Sequence, residues 1–256
     1  MSAFVLAALF VGGAVLFAVL GVLTARRYIH HHVAEGHNDV LVPLFLTAGV
    51  IYAVLLGFLV VGEWENYDAA HANAAEEAAL LVPMYRQTTV MAADKGSEMR
   101  KAIRDYAEDV VKGWDAFVGG QRNRVAGHDV NEIFRVFGEL TPATKARELI
   151  AAQFLQTFSQ VILDRNKRYL QASESLSWIM WLAAIGGGAI TVAMSFILFM
   201  DHAWPHVLMT SVMAALIGML LFIMIMLSRP FAGPLGIQPE PFETSLQTFD
   251  DVDHGN

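Results

Sequence analysis

The sequence has no cysteine, which excludes disulfides, thiolate metal sites and cysteine nucleophiles and leaves the redox compartment unread. Basic residues are too few for a nucleic-acid partner: the net charge is -8, and phosphate recognition needs clustered Lys and Arg. There is no zinc-binding HExxH, no GxSxG elbow, no P-loop and no dinucleotide-binding GxGxxG. The chain therefore reads as a non-enzyme with no catalytic residue, no cofactor and no metal. Strand-like alternation is missing, and so is any internal repeat, which removes the cheapest pointer to an inverted-repeat transporter.

What is present is apolar length. Hydrophobic residues make up 55% of the chain, against roughly 45 to 50% in a soluble domain. The excess lies in four runs, each close to the roughly 20 residues that a helix needs to cross the hydrocarbon. They cover about Ala3 to Leu23, Leu41 to Gly62, Trp178 to Met200 and Pro205 to Leu227. The first is followed, not preceded, by its basic pair Arg26 and Arg27 and has no A-x-A-like site, so it reads as a retained helix and not a signal peptide. Pro43 fits the first turn of the second. Trp64, Trp178, Trp181 and Trp204 fall near run ends, where indole is favoured at the headgroup level.

The expected fold is all-α: an integral membrane protein with four transmembrane helices in two pairs flanking a helical extramembrane domain. The division is a first pair over 1-62, the helical domain over 63-177, a second pair over 178-227 and an acidic C-terminal tail over 228-256. Four crossings put both termini and the helical domain on one side. Lys and Arg near the membrane conflict on which side this is: Arg26 and Arg27 pull a short loop inward, and Arg165, Lys167, Arg168 and Arg229 pull the domain side inward. The expectation is a multi-pass protein of the cell (inner) membrane with the domain cytoplasmic.

Within the domain, an alanine-rich stretch from Trp64 to Met91 reads as a helix interrupted or kinked at Pro83. A second helix is expected over Ser97 to Val118, with Ile103, Tyr106, Val110 and Trp114 as its buried stripe and Gly119 and Gly120 as its end. Gln121 to His128 reads as a basic loop. A short helix then carries Ile133, Phe134 and Phe137, Thr141 and Pro142 read as the N-terminal cap of the next helix, and that long helix carries Leu149, Phe154, Leu155, Phe158, Ile162 and Tyr169.

Four groups of residues are candidates for function. Gly186, Gly187 and Gly188 lie inside the third run, where small residues let helices approach closely; Ala214 and Gly218 have the same look. Gly49, Ala53 and Gly57 in the second run read as a helix-packing or pore-lining face. His30, His31, His32 and His37, with Glu35 and Asp39, could bind metal or sense pH, but adjacent loop histidines do not converge on one ion, so they read as a solvated loop. Glu63, Glu65 and Asp68 are an acidic patch at the exit of the second run; repeated around an axis, they would draw cations to a pore mouth. The run interiors carry no ionisable residue, which weakens a pump or coupled transporter and leaves a channel or a scaffold.

The stretch Leu56, Gly57, Phe58, Leu59, Val60, Val61, Gly62, Glu63, Trp64, Glu65, Asn66 and Tyr67, continuing to Tyr85 and Arg86, resembles the bestrophin-like family of bacterial membrane proteins. So does the ending Leu227, Ser228, Arg229, Pro230, Phe231, Ala232 and Gly233, followed by Ile237, Pro239, Glu240, Pro241 and Phe242. Ser228 departs from a position that is often acidic in that family. The resemblance implies two helix pairs around a helical domain and, through more distant likeness to true bestrophins, a ring-shaped homo-oligomer in the lipid bilayer that conducts inorganic ions. Animal bestrophins carry an acidic calcium-binding stretch after their Pro-Phe; here Pro230 and Phe231 are followed by Ala232, Gly233, Pro234 and Leu235, so no calcium clasp is expected. The alternative is a non-conducting scaffold whose helical domain binds a partner.

Overall fold

The computed structural model describes residues 3–28, 36–121, 124–141 and 144–255, apart from the side chain of Arg124. Their secondary structure is helical, without a strand among the described residues. The helices are α1 (Ala3–Tyr28), α2 (His37–Gln87), α3 (Ala93–Lys112), α4 (Trp114–Val118), α5 (Arg124–Gly138), α6 (Lys145–Ser173), α7 (Trp178–Phe196), α8 (Ala203–Leu227) and α9 (Glu240–His254), with a 3-10 turn at Thr88–Val90 between α2 and α3. The chain forms two compact units. One holds Met1–Tyr67, Ser175–Arg229 and Gly233–Leu235, and the other Asp68–Glu174, Pro230–Ala232 and Gly236–Asn256.

The first unit contains the membrane-spanning parts of α1, α2, α7 and α8, the four helices long and apolar enough to cross a bilayer. Their large side chains point outward: Phe4, Leu9, Val50, Ile51, Phe58, Leu182, Ile190 and Leu216 are all exposed, as expected when the solvent is hydrocarbon. Lipid supplies no hydrophobic drive between helices, so contact rests on close packing of small residues. A Cβ on Gly218 of α8 would lie 2.9 Å from the Phe10 carbonyl oxygen and 3.0 Å from Ala14 Cβ of α1. Ala18, Val192 and Ala214 complete that contact. A second core gathers Tyr52, Leu56, Ala184, Leu221 and Met224. There Gly187 and Gly188 make room for the Tyr52 ring, whose hydroxyl donates to the Ala184 carbonyl at 2.9 Å. Helix packing thus accounts for two residues of the glycine run.

The second unit follows water rules. Ile103, Tyr106, Val110 and Trp114 are buried as the spacing requires, with Met99, Leu81, Phe154 and Phe158. Several boundaries differ from expectation. Pro83 does not interrupt α2, which runs on to Gln87; the proline removes one backbone bond in the turn before it, and the buried Leu81, Met84 and Tyr85 hold the helix through it. Gly113 divides the expected second helix into α3 and α4. Arg124 to His128 belong to α5 and not to a loop. The described N-cap of α6 is Thr144, whose hydroxyl accepts from the Arg147 amide at 3.3 Å; Pro142 lies outside the described residues. The acidic C-terminal residues form α9, whose Phe242 and Phe249 are fully buried.

Candidate functional site

Helix α2 offers two faces in the membrane unit. One carries Tyr52, Leu56 and, seven residues on, Glu63, which is only 7% exposed. The other carries Ala53 and Gly57, both exposed, and Gly49. A Cβ added at Gly49 or Gly57 would meet nothing within 4 Å, unlike one at Gly187, Gly188 or Gly218. The small-residue face of α2 is therefore uncovered by its own chain.

The acidic patch is divided in the same way. Two residues along a helix turn about 200°, so Glu63 and Glu65 point in nearly opposite directions; Glu63 is buried, while Glu65 and Asp68 are exposed. His30, His31, His32 and Glu35 lie outside the described residues. Among the described residues no three His, Asp or Glu side chains come together as metal ligands.

The sequence around Pro230 and Phe231 builds an aromatic cluster in the helical unit. The Pro230 carbonyl accepts the Ile237 amide at 2.8 Å, and the Ile237 carbonyl accepts the Trp114 indole N–H at 3.1 Å. Phe231, 3% exposed, meets Trp114 and Phe117 edge-on, with centroids 5.9 and 5.2 Å apart. Phe242 of α9 packs on the same indole. In the membrane unit, Gly233 has φ +90°, a conformation reserved for glycine, and Tyr67 donates to the Leu235 carbonyl at 2.9 Å.

A deep match covers this layout: a model of the bestrophin-like domain fits residues 12–242. The chain belongs to the bestrophin-like family. Solved structures agree in fold. Two point mutants of a bacterial bestrophin homologue from Klebsiella pneumoniae align with TM-scores of 0.76 and 0.75, at 10% and 11% identity. The first alignment covers 98% of this chain and 99% of that one, the second 96% and 99%. A further structure of a bacterial bestrophin homologue from that organism, phased on zinc, aligns at 0.71 and 12% identity, over 97% of this chain and 98% of that one. No curated protein matches the chain. This bestrophin-like protein is thus an all-helical, multi-pass membrane protein.

Two polar sites escape a reading of the sequence. In the helical unit Arg168, 2% exposed, forms an ion pair with the fully buried Glu77, with Nε 2.7 Å from Oε2. Tyr106 donates to the same carboxylate at 2.6 Å. The guanidinium lies 4.8 to 5.6 Å from the ring centroids of Phe117, Tyr169, Trp114 and Phe242, positions suited to cation–π attraction. Burial opposes the charge on Arg168, and Glu77 more than offsets it; burial and then Glu77 push the Tyr106 hydroxyl well above its ordinary value. Phe231 thus buttresses the Trp114 that covers this ion pair. Spacing carried a signal: Glu77 stands on the stripe of Ala70, Ala74 and Leu81, where an acid must find a partner. Arg165 and Arg168, counted above as interface charges, are 7% and 2% exposed and drop out of the orientation argument.

In the membrane unit His206, in the first turn of α8, is 1% exposed, and its Nε2 lies 2.9 Å from the Ser195 carbonyl. Ser195 in turn donates to Thr210 at 3.4 Å. His206 is the second residue of the fourth run, so a search confined to run interiors passes over an ionisable side chain that is nonetheless buried in the membrane unit.

Proposed function

We propose that this protein is a homo-oligomeric ion-conducting protein of the cell inner membrane, in which the Gly49, Ala53 and Gly57 face of α2 meets a neighbouring subunit or the ion path. The uncovered state of that face supports the reading. Gly187, Gly188 and Gly218 are filled from within the chain, whereas this face, like the single Gly186, has space for a Cβ, and it has that space at two glycines two turns apart. The bilayer is its solvent, and inorganic ions are its ligands. Glu65 and Asp68, exposed on α2, supply the acidic pore mouth; Glu63, buried on the opposite side, does not.

Liposome flux tests this. Wild-type protein should conduct cations, and Glu65→Gln should lower the flux most at low salt, because such an attraction is screened over about 8 Å at physiological ionic strength. Equal flux from variant and wild type at low salt removes Glu65 from the path. No flux from wild-type protein favours the non-conducting scaffold. We also place the helical domain and both termini in the cytoplasm. His202→Cys and His254→Cys, in a chain without native cysteine, should then react with an impermeant reagent from opposite sides, with His254→Cys protected in intact cells.

A further inference from the structure

A groove of about 430 Å³ lies between α1 and α7, lined by Phe17, Leu20, Gly21, Thr24, Ala193 and Phe196, among others. Phe196 forms its floor: its ring fills the space above Gly21 and meets Phe17 edge-on at 5.4 Å. The wall is apolar until Thr24, one turn from the end of α1. Positions 17, 20, 24 and 27 follow one another at spacings of three and four along a single helix face. That stripe therefore runs from hydrocarbon through a hydroxyl to a cation, Arg27, about 4.5 Å of helix rise beyond Thr24.

The two arginines at this end differ. Arg26 is committed to the turn after α7, donating to the Met200 and Asp201 carbonyls at 2.9 and 3.1 Å. Arg27 is exposed and has its guanidinium 5.9 Å from the exposed Tyr28 ring, an arrangement suited to the headgroup level. We propose that this groove is a binding site for an anionic phospholipid, with an acyl chain between Phe17, Leu20 and Ala193 and the phosphate on Arg27. Charge complementarity selects this occupant: a zwitterionic lipid brings its own ammonium beside the phosphate, which repels the guanidinium and cancels most of the attraction, and a free phosphate would leave the apolar wall open.

Native mass spectrometry of the full chain, purified in mild detergent and supplied with dioleoyl phosphatidylglycerol or dioleoyl phosphatidylcholine, tests the assignment. Phosphatidylglycerol should be retained over phosphatidylcholine by about fivefold, the factor expected of one basic residue at a membrane surface, and Arg27→Gln should abolish that preference. Ala193→Leu, which fills the groove, should lower retention of both lipids. Glycerol phosphate at millimolar concentration should not displace the lipid. Equal retention of the two lipids by wild-type protein, an unchanged preference in Arg27→Gln, or displacement by glycerol phosphate overturns the proposal. So does an Ala193→Leu protein whose subunit number changes while lipid retention does not, since the groove would then belong to a subunit contact. Arg27→Gln keeps the test alive if Ala193→Leu does not fold.

Discussion

In the membrane unit Gly218 admits the Phe10 carbonyl and Ala14 against its backbone, whereas in the helical unit Arg168 is held by Glu77 and four aromatic rings. Every ion pair described lies in the helical unit. The reason is the solvent. Hydrocarbon offers helices no hydrophobic gain on association, so they adhere by shape, and small residues bring backbones together. Water drives apolar burial strongly, and that gain carries a buried charge pair whose desolvation cost must be offset by good geometry. The same contrast appears in α9. Ser245 donates to the Ala78 carbonyl at 2.9 Å, Phe249 stacks on Tyr85 with centroids 4.1 Å apart, and Arg104 reaches Asp250 and Asp253 at 2.7 and 3.0 Å. Burial pushes Asp253 up, but hydrogen bonds from Tyr85, Arg104 and Arg100 outweigh it and hold the carboxyl below its usual range.

The comparison breaks most readily at Arg168. Arg168→Gln leaves Glu77 buried without its cation and should destabilise the helical unit by about 3–5 kcal/mol, seen as an early melting phase by circular dichroism. Replacing both partners, Glu77→Leu with Arg168→Met, should recover most of that loss; a double variant no better than the single one would mean that the pair contributes more than charge compensation.

The membrane unit should instead be sensitive to volume. Gly218→Leu forces a side chain into the Phe10 backbone and should cost about 1–3 kcal/mol or more, with a lower melting temperature in detergent. Gly57→Leu meets nothing in its own chain, so it should leave the subunit's fold intact and reduce only its assembly, measured by particle mass. An unchanged particle mass and melting temperature in Gly57→Leu would remove the α2 face from any interface.

The smallest effect concerns pH. Asp129 of α5 is 8% exposed, and burial followed by the neighbouring Asp109, with Asp105, pushes it up to about 6, against a weak opposing effect of His128. Its unfolded value is about 3.9, so the folded chain holds the proton more tightly. This contribution is full below about pH 4 and is lost as the pH rises through about 6. Asp129→Asn should raise the melting temperature at pH 8 by about 2–4 °C, the shift that roughly 1 kcal/mol makes in a protein of this size, and should change little at pH 4. Equal gains at both pH values would assign the effect to packing and not to charge.

Apolar runs of helical length, flanked by tryptophan and arginine, determine by themselves that this chain crosses a bilayer four times, because the length of each run is matched to the membrane and depends on no distant residue. The spacing of Ile103, Tyr106, Val110 and Trp114 likewise reports a buried helix face, since periodicity is local. Local sequence could not decide whether Thr141 or Thr144 caps α6, since both are good caps before a helix. Nor could it show that Glu63 turns inward while Glu65 turns out, or that Gly187 is filled and Gly57 is open, because identical glycines differ only in what stands opposite them. The acidic composition of the last residues suggests a solvated tail, yet Phe242, Ser245 and Phe249 fall on one face of α9 and find their partners on α2, α3 and α4. Glu77 and Arg168 are 91 residues apart, and only tertiary packing, which removes both from water together, makes either one tolerable.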